Sequence, residues 1–233
     1  MKIAIFSIPE LNPGKAGVKD ERLDAVHKIT KSKNKTYLQV ELVAEDDILN
    51  ADAILANKDS RTDLILRDLE FVETRSLRAE TEIEKSLLNK LKAALEKEIF
   101  VSGLEFIEEE KKMLSVYGLL TNKPVVLAEA KDVEDSNALI LRAVKESGYI
   151  SFFTTGEKET RSWLIRKGTT AWEAAGAIHS DIQKGFIRAE IISFNDFIQA
   201  GGENAAKQAG KMRLEPKEYI MQDADLVNFR FNK

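Results

Sequence analysis

YISFFTTGEKETRSWLIRKGTTAWEAAGAIHSDIQKGFIRAEIIS, residues 149–193, decides the fold of the C-terminal part of the chain. Tyr149 to Thr154 and Thr160 to Arg166 are rich in β-branched and aromatic residues and flank a turn at Gly156, the pattern of two paired strands. Thr169 to His179 reads as a helix, Ile187 to Ser193 returns to strand composition, and a last strand is predicted at Leu226 to Phe231. The order ββαβ with a further β, within about 85 residues, predicts a short mixed sheet wrapped on one helix, the β-grasp arrangement.

Moving outward, Asp135 to Ser147 is predicted as the helix that precedes Gly148. Thr62 to Lys97 is almost free of Gly and Pro and rich in strong helix formers. Ile65, Leu69 and Val72, then Ile83, Leu87, Leu91, Ala94 and Leu95, recur at three and four residues, which predicts two helices packed as a hairpin with a turn near Thr74 to Thr81. Their charged faces are read as solvated surfaces rather than as a partner-binding arm. Glu108 to Tyr117 is a further helix that stops at Gly118. Around this helical insert, at about 61–117, the strand candidates are Met1 to Phe6, Tyr37 to Val43, Ala53 to Ala56 and Pro124 to Ala128. Ile8 to Val18 reads as loop, and Asp20 to Lys31 as a short helix carrying Leu23, Val26 and Ile29. The expected organisation is an α/β domain over 1–147 and a β-grasp domain over 148–233.

Composition narrows the chemistry. The chain has 233 residues, no cysteine and two histidines, which removes disulfides, thiol nucleophiles, iron–sulfur clusters and thiolate or His-rich zinc sites. No Ser–His–Asp order or paired carboxylate stands out, so no catalytic residue is assigned and no metal ligand is named. The apolar start Ile3 to Phe6 is shorter than a signal peptide's apolar region or a membrane span, so a cytoplasmic protein with no membrane partner is expected. The net charge is −4, divided as −5 over 1–147 and +1 over 148–233. Neither part is a polycation, which argues against sequence-specific or tight non-specific DNA binding.

The stretch from Ser151 to Asn232 resembles the C-terminal TGS-type domain of the YchF family of Obg-related GTPases along its whole length. Carrying the resemblance are Phe152-Phe153-Thr154-x-Gly156, Lys167-Gly168-Thr169-Thr170, Ala175-Gly176-x-Ile178-His179-x-Asp181, Gly185-Phe186-Ile187-Arg188-Ala189-Glu190, Gln222-Asp223 and Phe229-Arg230-Phe231. The stretches from Asp63 to Arg75 and from Glu109 to Pro124 are similar to those that bracket that family's helical hairpin. The resemblance implies a P-loop-GTPase-like α/β domain with an inserted coiled-coil hairpin, followed by a TGS-like β-grasp domain. It also implies ATP or GTP with magnesium as ligand, and the ribosome or structured RNA as partner.

A P-loop of the form G-x-x-x-x-G-K-S/T supplies glycine N–H groups, a lysine and a hydroxyl to phosphates and magnesium. At that place the chain reads Pro9-Glu10-Leu11-Asn12-Pro13-Gly14-Lys15-Ala16. Pro9 stands for the first glycine, Pro13 removes an N–H, Glu10 adds a negative charge and Ala16 has no hydroxyl. Lys15 lies three residues from Val18, leaving no switch segment. Ala44-Glu45-Asp46-Asp47 lacks the glycine of a magnesium-contacting loop, and Glu129-Ala130-Lys131-Asp132 lacks a base-reading asparagine. These departures lead to the expectation of a truncated, nucleotide-incompetent relative, a pseudo-GTPase with a degenerate P-loop and no cofactor, that acts as an interaction module. A residual ATP or GTP site with Mg, and weak hydrolysis, is the alternative, with Gly14 and Lys15 as vestigial nucleotide contacts. A second alternative is sensing of a small nucleotide-like ligand by the TGS-like domain.

The expected partner contacts are Lys158, Arg161, Lys167, His179, Asp181, Lys184, Arg188, Lys207, Lys211 and Arg213. His179 is read either as a ligand contact or as a helix-end residue, and Arg188 with Glu190 either as a cross-strand pair or as partner contacts. Trp163, Trp172, Phe152, Phe186, Phe229 and Phe231 are expected in the core. Glu45, Asp46 and Asp47 read as a solvated turn or helix start. An unpaired sheet edge would leave room for a homodimer.

Overall fold

The computed structural model describes residues 1–232. The chain divides into two compact units, residues 1–16 with 40–139, and residues 17–39 with 140 onward. The second unit thus takes in two stretches, 17–39 and 140–147, in addition to the β-grasp segment.

The first unit is built on a five-stranded sheet of order β2-β4-β1-β5-β6, from β1 (Lys2–Phe6), β2 (Gly14–Val18), β4 (Leu38–Val43), β5 (Ala53–Asn57) and β6 (Val125–Ala128). β1 pairs in parallel with β4 and with β5, and β5 in parallel with β6. The nearly continuous burial of β1 and β5 follows from this central position, where both sheet faces are covered. The segment read as loop over 8–18 contains β2. Its sequence, GKAGV, has little strand propensity, and its strand character comes from pairing at the sheet edge.

Between β5 and β6 lie α2 (Arg61–Ser76), α3 (Glu82–Leu95) and α4 (Glu108–Tyr117). Of the residues whose spacing predicts a hairpin, Ile65, Val72, Leu87, Leu91 and Leu95 share one core, joined by Leu88 and by Leu114 of α4, whereas Ile83 is 49% exposed. Thr81 caps α3 by accepting the Glu84 N–H at 3.2 Å. Glu84 in turn accepts from Arg75 Nε at 2.7 Å and from the Tyr117 hydroxyl at 2.8 Å, joining all three helices. Asp68 fastens the insert to its return: its carboxylate, 2% exposed, accepts the N–H groups of Leu120 (2.8 Å) and Thr121 (2.7 Å) and the Thr121 hydroxyl (2.7 Å). After β6 come α5 (Ala130–Val133) and α6 (Ser136–Glu146).

The second unit has a six-stranded sheet of order β10-β9-β11-β7-β8-β3. Its strands are β3 (Asn34–Thr36), β7 (Tyr149–Thr155), β8 (Glu159–Arg166), β9 (Phe186–Ile192), β10 (Arg213–Glu215) and β11 (Leu226–Phe231). β7 and β8 form an antiparallel hairpin, β11 runs parallel to β7 and antiparallel to β9, and β3 adds in parallel to β8. The helix α7 (Ala171–Ile178) packs Ala171, Ala174 and Ala175 on one face, against Phe152, Ile165, Ile191 and Phe229. The other face, with Phe153, Ile192 and Leu226, is covered by α1 (Glu21–Thr30), α9 (Phe194–Ala200) and α10 (Glu203–Gln208). Neighbouring residues Phe152 and Phe153 therefore serve opposite cores, as strand alternation requires. Two of the aromatics expected in the core lie outside it: Trp172 is 44% and Phe231 37% exposed. The short α8 (Ser180–Lys184) ends at Gly185, which runs so close to the end of β11 that a Cβ there would lie 2.1 Å from the Asn232 carbonyl oxygen. Among the described residues no helix is long and apolar enough to cross a membrane.

Candidate functional site

The parallel strands of the first unit all end on one edge of the sheet, and β1 is the point where the order reverses, with β4 on one side and β5 on the other. In open α/β sheets such a point opens a crevice outside the carboxyl ends of the strands, where ligands bind. Ser7, which follows β1, has a φ of +56°, and the chain then turns through a bond from Leu11 N–H to Ile8 O (3.2 Å). With Ile8 and Leu11 buried, this turn leaves an open pocket of about 280 Å³ lined by Ser7, Ile8, Pro9, Leu11, Pro13 and Glu45. Arg67 of α2 lies beside it, its guanidinium 4.9 Å from the Phe6 ring centroid and 2.5 Å from Glu45 Oε1. At the ends of β5 and β6, Lys58 Nζ sits 2.8 Å from Glu129, which also meets Lys131 at 3.1 Å. Hydrogen bonds from Lys58 and then Lys131 hold the Glu129 carboxyl down at about 2. Arg67 and Lys58 are missed by sequence reasoning, because only the shared edge of the sheet collects them, whereas Glu129 lies in the loop after β6 that the sequence already sets at the place of a base-reading motif.

Gly14 and Lys15 lie at the start of β2, both exposed, with a φ of +143° at Gly14. Glu45, Asp46 and Asp47 open a short 3₁₀ helix, Glu45–Asn50, where Asp47 accepts from Lys2 (3.2 Å) and Asn50 (2.6 Å). No group of three or more His, Cys, Asp or Glu side chains placed to hold a metal ion occurs among the described residues.

In the second unit the expected contacts separate into two kinds. Several are engaged within the fold. His179 caps α8, its Nδ1 accepting the Asp181 N–H at 3.1 Å. Arg161 stacks 4.3 Å from the Trp163 ring centroid, and Lys211 meets Asp196 at 3.1 Å. Arg213 donates to the Tyr219 hydroxyl at 3.0 Å. By contrast Lys158, Lys167, Lys184, Arg188 and Lys207 are exposed and form no ion pair among the described residues. Arg188 does not pair with Glu190. Arg230, its registered neighbour on β11, takes Glu190 instead, with Asn228 donating to the other carboxylate oxygen at 2.8 Å. The hydrogen bond from Arg230 holds the Glu190 carboxyl below the usual range. Arg188 thus stands across from Arg230, while Lys184 precedes Gly185, whose carbonyl accepts the Asn232 N–H at 2.9 Å. Arg230 is absent from the expected contacts, although it stands two residues from Asn228 on the same strand face.

Residues 149–232 match the family model YchF-GTPase_C, described as a protein of unknown function (DUF933). The chain is 33% identical over 250 residues to "Ribosome-binding ATPase YchF" of Buchnera aphidicola subsp. Schizaphis graminum, a match covering 84% of this chain and 68% of that protein. It belongs to the YchF family. A second relative, "Ribosome-binding ATPase YchF" of Bacillus subtilis, is 33% identical over 235 residues, covering 73% of this chain and 64% of the relative. The YchF-family chain therefore spans less than two thirds of that relative's length. Its fold superposes on "Structure of the Schizosaccharomyces pombe YchF GTPase" with a TM-score of 0.78 at 19% identity, covering 99% of this chain and 97% of the other.

These matches correct the expectation of a truncated first half. Similarity runs through both halves of the chain, and the superposition takes in nearly all of both folds, so the first unit is the family's P-loop-GTPase-type α/β fold with its helical insert rather than a remnant of it. The reading as a pseudo-GTPase with a degenerate P-loop, a non-catalytic module without a cofactor, is overturned on the same ground, since the relatives matched across most of the chain are ATPases by name. That reading weighed the Pro9–Ala16 loop, the short Lys15-to-Val18 connection and the loops Ala44–Asp47 and Glu129–Asp132 against the rest of the chain. A sheet-edge crevice is formed by backbone topology and by residues from several strand ends, which a single motif does not report.

Proposed function

We propose that this YchF-family chain binds and hydrolyses ATP or GTP, and associates in the cytoplasm with the ribosome or structured RNA. The single observation that carries the reading is the 33% identity to a ribosome-binding ATPase over 84% of the chain. The nucleotide is assigned to the crevice at the carboxyl ends of β1 and β4. There Arg67 and Lys58 are the cations that a polyphosphate can draw from Glu45 and Glu129, and Gly14 and Lys15 of β2 complete the assignment. Both carboxylate pairs are exposed, so exchanging a carboxylate for a phosphate costs little. Since the groups present suggest no metal ligand set, the role assigned to these residues is binding and charge compensation, with magnesium arriving bound to the nucleotide.

The ribosome or RNA contact is assigned to the second unit, to Lys158, Arg161, Lys167, His179, Asp181, Lys184, Arg188, Lys207, Lys211 and Arg213. Lys184 and Arg188 lead this set because both are exposed, form no ion pair among the described residues and flank the Gly185 contact with the end of β11. Phosphate backbones are bound through such cations by counterion release, which makes binding salt-dependent. Co-sedimentation with purified ribosomes tests the reading. The intact chain is expected to pellet with them at low salt, and the Lys184→Glu/Arg188→Glu variant to stay in the supernatant. Equal pelleting of both proteins, or of neither, overturns the assignment.

A further inference from the structure

The second unit holds a pocket of about 450 Å³ beneath the turn that joins β8 to α7. Its apolar wall is made by Tyr149, Ile150 and Met221, with Ile220, 44% exposed, at the lip. Two lysines line it, Lys145 from the last turn of α6 and Lys167 from the turn after β8. The backbone fixes them there, since Gly148 donates to the Lys145 carbonyl (3.1 Å) and accepts the Lys167 N–H (2.9 Å). Neither lysine forms an ion pair among the described residues, whereas Lys35 and Lys211 of the same unit do.

The one acid in the wall is already engaged. Asp223 holds Arg22 at 2.7 Å and accepts the Ser151 N–H at 3.1 Å. The pocket therefore combines an apolar floor with two exposed lysines that form no ion pair among the described residues, in a volume within the range of small-ligand sites. Two lysines at one pocket attract an anion, and lysine binds phosphate as a compact point charge.

We propose that this pocket binds a small organic phosphate of mononucleotide size, with the phosphate between Lys145 and Lys167 and the organic body against Ile150, Ile220 and Met221. The site is separate from the crevice of the first unit, and the inference does not rest on the nucleotide reading made there. All of its lining residues belong to the second unit.

The test is a backbone-amide NMR titration of the full chain with AMP, with inorganic phosphate and with adenosine. AMP is expected to give saturable shifts at Lys145, Gly148, Lys167, Gly168 and Met221, with inorganic phosphate weaker and adenosine without effect. In Lys145→Gln/Lys167→Gln, whose changes are at exposed positions and whose spectrum reports its own folding, the AMP affinity is expected to fall about tenfold or more. In Lys15→Ala the same shifts are expected to persist, which separates this site from the crevice. No shifts at these amides up to roughly millimolar AMP overturns the proposal, as do shifts unchanged in the double variant. An equal response to inorganic phosphate alone overturns the organic part of it.

Discussion

Asp68 shows how much one side chain decides. Its buried carboxylate supplies the acceptors for two N–H groups and one hydroxyl at the point where the helical insert returns to the sheet. Asp68→Ala leaves those donors buried and unpaired, and is expected to lower the unfolding free energy by about 3 kcal/mol in urea denaturation. Nothing in the sequence around Asp68 announces this, because its partners lie more than fifty residues away. Glu190 gives a pH dependence whose sign follows from its pairing. Arg230 holds its folded-state pKa below the ordinary glutamate value, so its contribution is fully present above that value and is lost as pH falls through the lowered one. The thermal midpoint is expected to drop below about pH 4, and Glu190→Gln to flatten that part of the profile.

At the scale of elements, legibility followed pattern length. The spacing over Thr62 to Lys97 repeats often enough to declare a hairpin, and α2 and α3 end and begin where the turn near Thr74 to Thr81 was expected. Leu91 lies in the middle of that seam and is fully buried. Leu91→Ala is expected to cost about 2–5 kcal/mol in the same denaturation measurement. The short strands β2, β3 and β10, reading GKAGV, NKT and RLE, carry no periodicity of their own. Each is a strand only because a neighbouring edge offers backbone partners, and such pairing leaves almost no trace in composition. Trp172 and Phe231 fail as core residues for a related reason, since aromatic character alone does not report which side of an element faces the core.

For the whole molecule, the β-grasp architecture was legible because its residues alternate and punctuate clearly from Tyr149 to Phe231. The nucleotide crevice was legible only in part: Gly14 and Lys15 stand at the place of a motif, whereas Lys58 and Arg67 are collected by sheet order. This crevice is the place assigned to a nucleoside triphosphate. Isothermal titration with ATP, GTP and their slowly hydrolysed analogues, in the presence of magnesium, measures it most directly. A saturable signal is expected for at least one nucleotide, weakened about tenfold or more when Lys58 and Arg67 are both changed to Ala. Absence of heat for every nucleotide at protein concentrations that reach roughly millimolar dissociation constants would contradict it.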